Sequence, residues 1–415
     1  MRLNLMQTDT FKNNAIWNTT GSLTYALSQW LIIVVIAKIG TPEMVGEYSL
    51  ALAITAPITM FLGGKLRLIY VTDHSEFSFA DYLNYKYLSS LLAILLIIII
   101  VGFTSYNYSV VMIILLIGLF KIHQDISELL YGVFQKQLKM KFIGISKIIK
   151  ALMMIVLFTI TLYYSNSLIL AVLSIVIVSL LILLIYDLKF AKRFVGIRFK
   201  INFITIKDIL LLSLPLSIMT LLNSLATNVP RYIIEMRLDL SSLGYFSALL
   251  HLIFAGNILI DSLRQPIIPI LVRNYRNKNR KNFIKIIAGV LLLCFIISFI
   301  GLITAYIFGE TLLTIAYSAD YAEFNDMFII MILASGFIYG TLILDSGINA
   351  ARKFKIQPFI GLLWLVSSII ISFYFITAYG LIGAALGLLI YSFFKFLTFL
   401  ALLISILGNK HWADF

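Results

Sequence analysis

Basic residues lie inside apolar stretches long enough to cross a lipid bilayer, where an ionised side chain is costly and marks a candidate functional site. They are chiefly five, namely Lys121, Lys147, Lys150, Arg231 and Lys395. The carboxylates at similar depth are fewer, namely Asp125, Glu128 and Asp345. An excess of cations suits an anionic ligand, because a phosphate leaves water only where fixed positive charge replaces its hydration. The five cations are therefore candidate substrate-binding residues, and Asp125 and Asp345 are candidate ion-coupling residues.

The spacing of these charges predicts how they are neutralised. Lys121 and Asp125 are neighbours on one helix face, so they can pair, either as a packing ion pair or as a ligand or proton site. Lys147 and Lys150 share a face and repel, so we expect an anion between them, with snorkelling to the inner headgroups as the alternative. Lys395 has no acid on its own stretch, and Asp345 is a candidate partner.

Two of the apolar stretches carry polar residues along one helical face. In the stretch near residues 209–233 these are Thr220, Asn223, Ser224, Thr227, Asn228 and Arg231. In the stretch near residues 15–38 they are Asn14, Asn18, Ser22, Tyr25 and Gln29. Lipid penalises such faces, so we expect both to point into the protein or a wet cavity. The candidate cavity-lining residues are Asn18, Tyr25, Gln29, Gln124, Asn223, Thr227 and Asn228. The alternative is hydrogen bonding between helices, with Arg231 reaching the outer headgroups.

The composition identifies the class of protein. The 415 residues are 61% hydrophobic and only 12% charged, which leaves too little polar surface for a soluble domain of this length. Long unbroken apolar runs exclude a transmembrane β-barrel. The net charge of +13 does not indicate nucleic acid here, because most of the surplus orients the chain in the membrane. We expect an all-α polytopic membrane protein.

About twelve apolar stretches of roughly 20 residues, the length of a membrane-spanning helix, alternate with short polar connections. Their approximate limits are 15–38, 45–65, 83–104, 109–132, 142–163, 167–187, 209–233, 242–263, 284–308, 325–349, 357–378 and 380–407. Lysine and arginine outside these spans concentrate in the even-numbered connections and both tails. The positive-inside rule then places both termini in the cytoplasm. We expect the protein in the cytoplasmic membrane of a bacterium.

The chain also carries signs of a tandem duplication. The motif from Gly46 to Ser49 opens span two, and a similar motif from Gly244 to Ser247 opens span eight. Phe142-Ile143-Gly144 in span five recurs as Phe359-Ile360-Gly361 in span eleven. Two halves with an even number of spans share one orientation, so we predict parallel repeats with the substrate path between them. The expected domains are 1–190, a basic linker 191–208, and 209–415.

Two connections differ from the rest in composition. The basic segment 264–285 contains Pro266 and Pro269, and we expect a solvated loop, with a position along the inner surface as the alternative. The longest outward connection, 309–324, carries Tyr317 and Tyr321 as expected interfacial anchors.

Signals of catalysis are missing from the sequence. No Walker A motif, metal-ligand cluster, nucleophile elbow or zincin motif occurs in it. We therefore expect no cofactor, no metal and no enzymatic activity.

Several short motifs follow one another in a recognisable order. They are Asn18 and Gly21 in span one, Gly46-Glu47-Tyr48-Ser49-Leu50-Ala51 and Gly63-Gly64-Lys65-Leu66-Arg67 in span two, Gly244-Tyr245-Phe246-Ser247, Asn349-Ala350-Ala351-Arg352-Lys353, and Gly380-Leu381-Ile382-Gly383-Ala384-Ala385. In order and layout the chain resembles the polysaccharide repeat-unit flippases (Wzx type, for O-antigen or capsule) of the multidrug/oligosaccharidyl-lipid/polysaccharide exporter (MOP) superfamily. The resemblance covers essentially the whole chain.

The resemblance implies a V-shaped, MATE-like pair of six-helix bundles that moves undecaprenyl-pyrophosphate-linked oligosaccharide from the cytoplasmic to the outer leaflet by alternating access. It implies intramembrane cations for the anionic headgroup, and Arg231, Lys121 and Lys150 are of the matching type. In this interpretation Lys147 and Lys150 attract the pyrophosphate, Lys121 and Lys395 hold it at mid-membrane, and Arg231 assists release.

The implied partners are the lipid-linked oligosaccharide, membrane lipids and, as candidates, the pathway polymerase and chain-length regulator. We expect a monomer without nucleic acid. The alternatives are a cation-coupled multidrug exporter of the same superfamily, against which the cationic excess counts, and a membrane polysaccharide polymerase, for which the 309–324 connection is too small.

Overall fold

Residues 2–72, 77–197, 202–351 and 357–408 are described in a computed structural model of the chain. Arg352 and Lys353 of the motif after span ten, and residues 198–201 of the expected linker, lie outside the described residues. All regular structure in the described ranges is helical. The helices are α1 (Arg2–Ile39), α2 (Pro42–Gly63), α3 (Leu66–Thr72), α4 (Phe79–Gly102), α5 (Tyr108–Lys136), α6 (Met140–Ser165), α7 (Leu168–Ile182), a π-helical turn (Leu183–Leu188), α8 (Lys189–Ala191), α9 (Phe203–Arg237), α10 (Leu240–Arg276), α11 (Arg280–Ala316), α12 (Ala319–Ala322), α13 (Asn325–Ala350) and α14 (Gln357–Gly408).

Helix termini are set by local chemistry that the sequence encodes. Thr41 caps α2 through a hydrogen bond from the Met44 amide, with Pro42 at the first helical position. Ser78 and Asp81 form a reciprocal capping box that starts α4. At the other end of α2, Gly64 adopts a left-handed conformation with φ of 61°. Because these caps end one helix and start the next within a few residues, the connections between successive helices are short.

Eleven described helices are long and apolar enough to span a bilayer, and the last of them contains two spans. That helix, α14, covers 52 residues, or about 78 Å at 1.5 Å per residue, more than twice a hydrocarbon core of about 30 Å. Gly380 interrupts it with φ of 59° and ψ of −137°. Beyond Gly380 the chain folds back on the preceding part of the helix. The Trp364 indole donates to Thr398 at 3.0 Å and stacks on Phe399, which shows that the two parts lie side by side. The prediction of an all-α protein with about twelve membrane helices is therefore confirmed.

The chain forms two compact units, Met1–Leu225 and Ala226–Phe415, so the division falls within α9. The two units repeat the same helix order. The N-caps Thr41 and Asp239, which start α2 and α10, have the same separation in sequence as the motif glycines Gly46 and Gly244. The starts of α5 and α13 are separated by the same interval as Phe142 and Phe359. The expected functional domains stay a prediction, because this division describes packing alone.

Equivalent helix pairs also pack on each other in both units. In the first unit α1 lies against α6 so closely that a Cβ on Gly21 would come 2.6 Å from the Gly144 Cα. Small residues allow backbones in a membrane to approach in this way. In the second unit Ser368 of α14 donates to the Ala226 carbonyl of α9 at 2.7 Å. The contact of span one with span five therefore corresponds to the contact of span seven with span eleven, as expected for a duplicated bundle.

Two expectations about connections are wrong. The basic segment 264–285 is not a loop: α10 continues to Arg276 through both prolines, and α11 begins at Arg280. The 309–324 connection is largely helical too, since α11 extends to Ala316. Tyr317 and Tyr321 are 1% and 0% exposed, and Tyr317 donates to the Ala248 carbonyl at 2.7 Å, so both pack inside the unit instead of anchoring at an interface.

Candidate functional site

A pocket of about 300 Å³ opens in the first unit, between the end of α2 and the helices α4 and α5. Three cations and two carboxylates line it, which leaves one positive charge in excess. The lining residues are Thr59, Met60, Gly63, Lys65, Leu66, Arg67, Leu68, Lys86, Asp125, Glu128, Leu129 and Thr220. In a protein with so few charged residues, this density of charge makes the pocket the candidate site for a polar ligand.

Two ion pairs cross the pocket. The Arg67 guanidinium donates to Glu128 at 2.6 Å and to the Gln135 amide oxygen at 2.9 Å, so it ties α3 to α5. The Lys86 ammonium, with only 4% of its side chain exposed, donates to Asp125 at 3.0 Å and ties α4 to α5. Lys65 is exposed and has no carboxylate within 4 Å among the described residues. It is therefore the cation of the pocket most available to a ligand.

The helix ends explain why these side chains converge. Gly64 and Lys65 adopt the left-handed conformation, with φ of 61° and 47°. They end α2 and change the direction of the chain before α3, so that Arg67 points toward α5. The capping box at Ser78 starts α4 early enough for Lys86 to lie two turns inside it. Gly63 leaves the necessary space, since a Cβ there would lie 2.9 Å from Asp125 Oδ2 and 3.2 Å from Lys86 Nζ.

A second polar cluster lies in the same unit and is almost completely buried. The Lys150 ammonium donates to Asp187 at 2.7 Å, to Ser127 at 2.6 Å and to the Tyr131 hydroxyl at 3.1 Å. Ser146 donates to the second oxygen of Asp187 at 2.6 Å and contacts the Tyr131 hydroxyl at 2.7 Å. Asp187 lies in the π-helical turn after α7. Both ions of this cluster are matched by several partners, which is the condition for burying an ion pair.

The structure pairs the predicted charges differently from the spacing argument. Asp125 pairs with Lys86 and not with Lys121, whose ammonium has no carboxylate within 4 Å among the described residues. Lys147 and Lys150 do not share an anion: Lys147 is 3.5 Å from Glu128 and Lys150 is bound to Asp187. Each of these charges pairs with a residue on a neighbouring helix and not with one on its own helix. Such a pair neutralises the charge and also holds the two helices together.

In the second unit the predicted cations lie in two places. Arg231 is 8% exposed and donates to Asn228 at 2.6 Å, one turn back along α9. The Lys395 ammonium of α14 lies 4.6 Å from the centre of the Trp364 ring. Asp345 itself accepts from Asn349 at 2.9 Å and lies 3.9 Å from Arg264. None of these side chains lines the pocket of the first unit.

The residues of the predicted polar stripes lie in several different surroundings. On α9, Thr220 lines the pocket and Asn223 and Thr227 are exposed, whereas Ser224 and Asn228 are buried. On α1, Asn14 binds the Leu138 carbonyl and the Met140 amide, and Ser22 accepts from Lys147.

The remaining predicted lining residues lie in or beside a smaller space. Tyr25 and Gln124 line a cavity of about 20 Å³ next to Lys150, room for about one water molecule. Asn18 and Gln29 are half-buried, and the Gln29 amide nitrogen has no hydrogen-bond partner within the described part of the chain.

Sequence reasoning missed Lys65, Arg67, Lys86 and Asp187. The sequence does not distinguish the three cations from the other basic residues near the ends of spans, and Asp187 lies at the end of span six. The Ser78-x-x-Asp81 pattern is a signal that could have found Lys86, because a capping box there starts the helix before residue 83. No comparable local pattern marks Asp187. Within the described ranges, no three histidine, cysteine or acidic residues are grouped to hold a metal ion.

The fold matches solved structures of membrane transporters over nearly the whole chain. An inward-facing multidrug resistance MATE family transporter of the MOP superfamily shares 13% identity, covers 95% of this chain and 96% of that one, and superposes with a TM-score of 0.73. The lipid II flippase MurJ, in an inward closed conformation, shares 16% identity, covers 96% and 93%, and superposes with a TM-score of 0.71. The chain is thus a multi-pass integral membrane protein with the fold of these transporters.

Sequence comparison narrows this class to one family. The model of the family described as polysaccharide biosynthesis protein matches residues 11–275. The capsular polysaccharide biosynthesis protein CapF of Staphylococcus aureus is 31% identical over 379 residues, which cover 90% of this chain and 94% of that protein. The chain belongs to the polysaccharide biosynthesis protein family, which confirms the family resemblance found in the sequence.

Proposed function

We propose that this protein is a flippase that moves an undecaprenyl-pyrophosphate-linked oligosaccharide from the cytoplasmic to the outer leaflet of a bacterial membrane, for capsule or a related surface polysaccharide. The observation that carries the proposal is the pocket with excess positive charge in the first unit. Family membership and the MOP transporter fold support it. Transport by alternating access, an inner-membrane location and cytoplasmic termini belong to the same proposal.

The pocket offers separate partners for each part of such a ligand. Lys65 and Lys86 supply positive charge for the pyrophosphate, and Thr59 and Thr220 supply hydroxyl groups for sugar. The lipid tail stays in the bilayer, which the many exposed apolar side chains of the helices contact.

The cations outside the pocket take different roles in this proposal. Arg231, Lys121 and Lys395 are further candidate cations along the path. Lys150 is instead a positioning residue, because its ammonium is bound to Asp187, Ser127 and Tyr131 and the cavity beside it has room for about one water molecule.

Ion coupling through Asp125 or Asp345 is a hypothesis with a defined physical requirement. Asp125 is bound to Lys86, and Asp345 faces Arg264 and Asn349. A coupling ion at either carboxylate must therefore compete with a resident cation. The excess of cations disfavours a carrier of cationic drugs, and the sequence offers no catalytic motif for a polymerase.

The test is deletion of the gene in its host, followed by complementation. We expect undecaprenyl-linked single repeat units to accumulate and surface polysaccharide to disappear, with both restored by the wild-type gene. Lys65→Gln, and Lys86→Gln combined with Asp125→Asn, should restore neither at normal protein levels. Lys207→Gln is the matched control, since Lys207 is an exposed cation outside the pocket.

The result that would overturn the proposal is unchanged surface polysaccharide together with increased sensitivity to cationic drugs. That outcome would reassign the protein to multidrug export.

A further inference from the structure

Glu128 of the first unit binds two cations from two different helices. The Arg67 guanidinium of α3 lies 2.6 Å from one of its carboxylate oxygens, and the Lys147 ammonium of α6 lies 3.5 Å from the other. Arg67 lines the pocket of about 300 Å³, Lys147 lines the smaller cavity of about 20 Å³, and Glu128 lines both. One carboxylate therefore neutralises a cation that faces the pocket and a cation that lies outside it.

Glu128 differs in this respect from the other carboxylates that pair with cations in the described part of the first unit. Among the described residues, Asp125 has one cation within 4 Å, the Lys86 ammonium. Asp187 likewise has one within the described part of the chain, the Lys150 ammonium. Loss of that cation would leave either carboxylate without a counter-charge, which is costly inside a protein. Glu128 would keep a second cation, so it can release the first to a ligand.

The Arg67 side chain is held in place independently of Glu128. Its Nε donates to the Gln135 amide oxygen at 2.9 Å, whereas its Nη1 donates to Glu128 at 2.6 Å. The Arg67 and Glu128 side chains are 22% and 36% exposed, so water reaches the pair and its exchange costs less than that of a dry pair. A guanidinium is also the cation whose planar fork matches two oxygens of a phosphate. Arg67 can therefore exchange the carboxylate for a phosphate without leaving its place.

We propose that Glu128 occupies, in the absence of ligand, the place on Arg67 that a pyrophosphate group takes when it enters the pocket. As the phosphate binds Arg67, Glu128 stays with Lys147 alone. Arg67 is then a ligand-binding residue, and Glu128 and Lys147 are positioning residues that set how tightly the anion is held. Return of Glu128 to Arg67 favours release of the anion at the end of transport. This inference rests on the proposed function, to which it adds the residue that competes with the ligand.

Binding of inorganic pyrophosphate to the purified full-length protein in detergent tests the exchange. Glu128→Gln removes the competitor, so the dissociation constant should fall about tenfold. Arg67→Gln removes the ligand-binding group, so the dissociation constant should rise about tenfold. In the Arg67→Gln background the further change Glu128→Gln should alter binding by less than about twofold, because the carboxylate no longer has a cation of the pocket to compete for.

Lys147 provides a second test, because it lies outside the pocket and acts only through Glu128 in this proposal. Without Lys147 the carboxylate binds Arg67 more firmly, so Lys147→Gln should raise the dissociation constant of pyrophosphate about threefold. The effect should disappear in the Glu128→Gln background. Glu43→Gln and Lys207→Gln change exposed charges outside the pocket and should leave binding unchanged.

Two results with inorganic pyrophosphate would overturn the exchange. One is an equal gain in affinity from Glu128→Gln with and without Arg67, which would show a general effect of charge on the pocket. The other is unchanged, weaker or absent binding by Glu128→Gln.

Repeating the series with undecaprenyl pyrophosphate separates the exchange from the proposed function. The expected pattern with the inorganic anion, together with no binding of the lipid, would leave the exchange standing and contradict the proposed cargo. Binding of the lipid with an affinity that does not depend on Glu128 would contradict the exchange and leave the cargo standing.

Discussion

Removal of one partner of the buried Lys150–Asp187 pair should destabilise the protein strongly. Lys150 and Asp187 side chains are 6% and 0% exposed, and they bind each other at 2.7 Å. Asp187→Asn leaves the ammonium without a counter-charge, and Lys150→Met does the same to the carboxylate. The expected loss is about 3–5 kcal/mol, the usual cost of stranding a buried charge. The measurement is thermal and denaturant unfolding of the purified protein in detergent.

The double variant Lys150→Met with Asp187→Leu separates the charge effect from the packing effect. Replacing both ions by apolar groups of similar volume is often neutral for stability, so the double variant should recover most of the loss. Lys147→Met is the matched control, because Glu128 keeps Arg67 as a partner and the loss should stay below about 1 kcal/mol. Single variants as stable as the wild type would refute the reasoning. So would a stable double variant that cannot transport, since Lys150 would then act on the substrate.

Three further changes test other parts of the account. Gly63→Ala should push the Lys86–Asp125 pair apart and reduce polysaccharide export at normal protein level, measured by complementation, because the new Cβ lies 2.9 Å from the carboxylate. Gly21→Leu should cost about 1–3 kcal/mol in unfolding experiments, because any side chain there collides with the facing α6 backbone. Gly380→Val should cost a similar amount, because φ of 59° with ψ of −137° suits glycine alone. Wild-type behaviour of a variant at Gly63 or Gly21 would contradict the close contact described there. Wild-type behaviour of the Gly380 variant would contradict the backbone conformation described for Gly380.

The membrane fold was predictable because its signals are strong and local. Apolar runs of span length indicated the helices, and short motifs such as those at Gly46 and Gly244 indicated the duplication. The ends of helices were harder, because α10 and α11 remain helical well beyond their apolar parts and prolines did not stop α10. Pro266 and Pro269 weaken a helix there without ending it, since packing of the flanking turns stabilises the helical state.

The candidate site was predictable in kind but not in detail. A site with an excess of cations was expected, and the pocket of the first unit has such an excess, yet it is lined by Lys65, Arg67 and Lys86 and not by Lys121 or Lys150. Which helix supplies the partner of a buried charge depends on contacts between distant segments. No spacing along one helix shows that Asp125 binds Lys86 or that Asp187 binds Lys150.

The proposed cargo of this protein is a lipid-linked anionic oligosaccharide. The most direct measurement is translocation of a labelled undecaprenyl-pyrophosphate-linked oligosaccharide in liposomes that contain the purified protein, followed by loss of label to an impermeant reagent outside. Wild-type protein and Lys207→Gln should translocate the lipid faster than empty liposomes, whereas Lys86→Gln with Asp125→Asn should not. Equal rates of translocation in empty liposomes and in liposomes with wild-type protein, with and without an ion gradient across the membrane, would contradict the proposed transport.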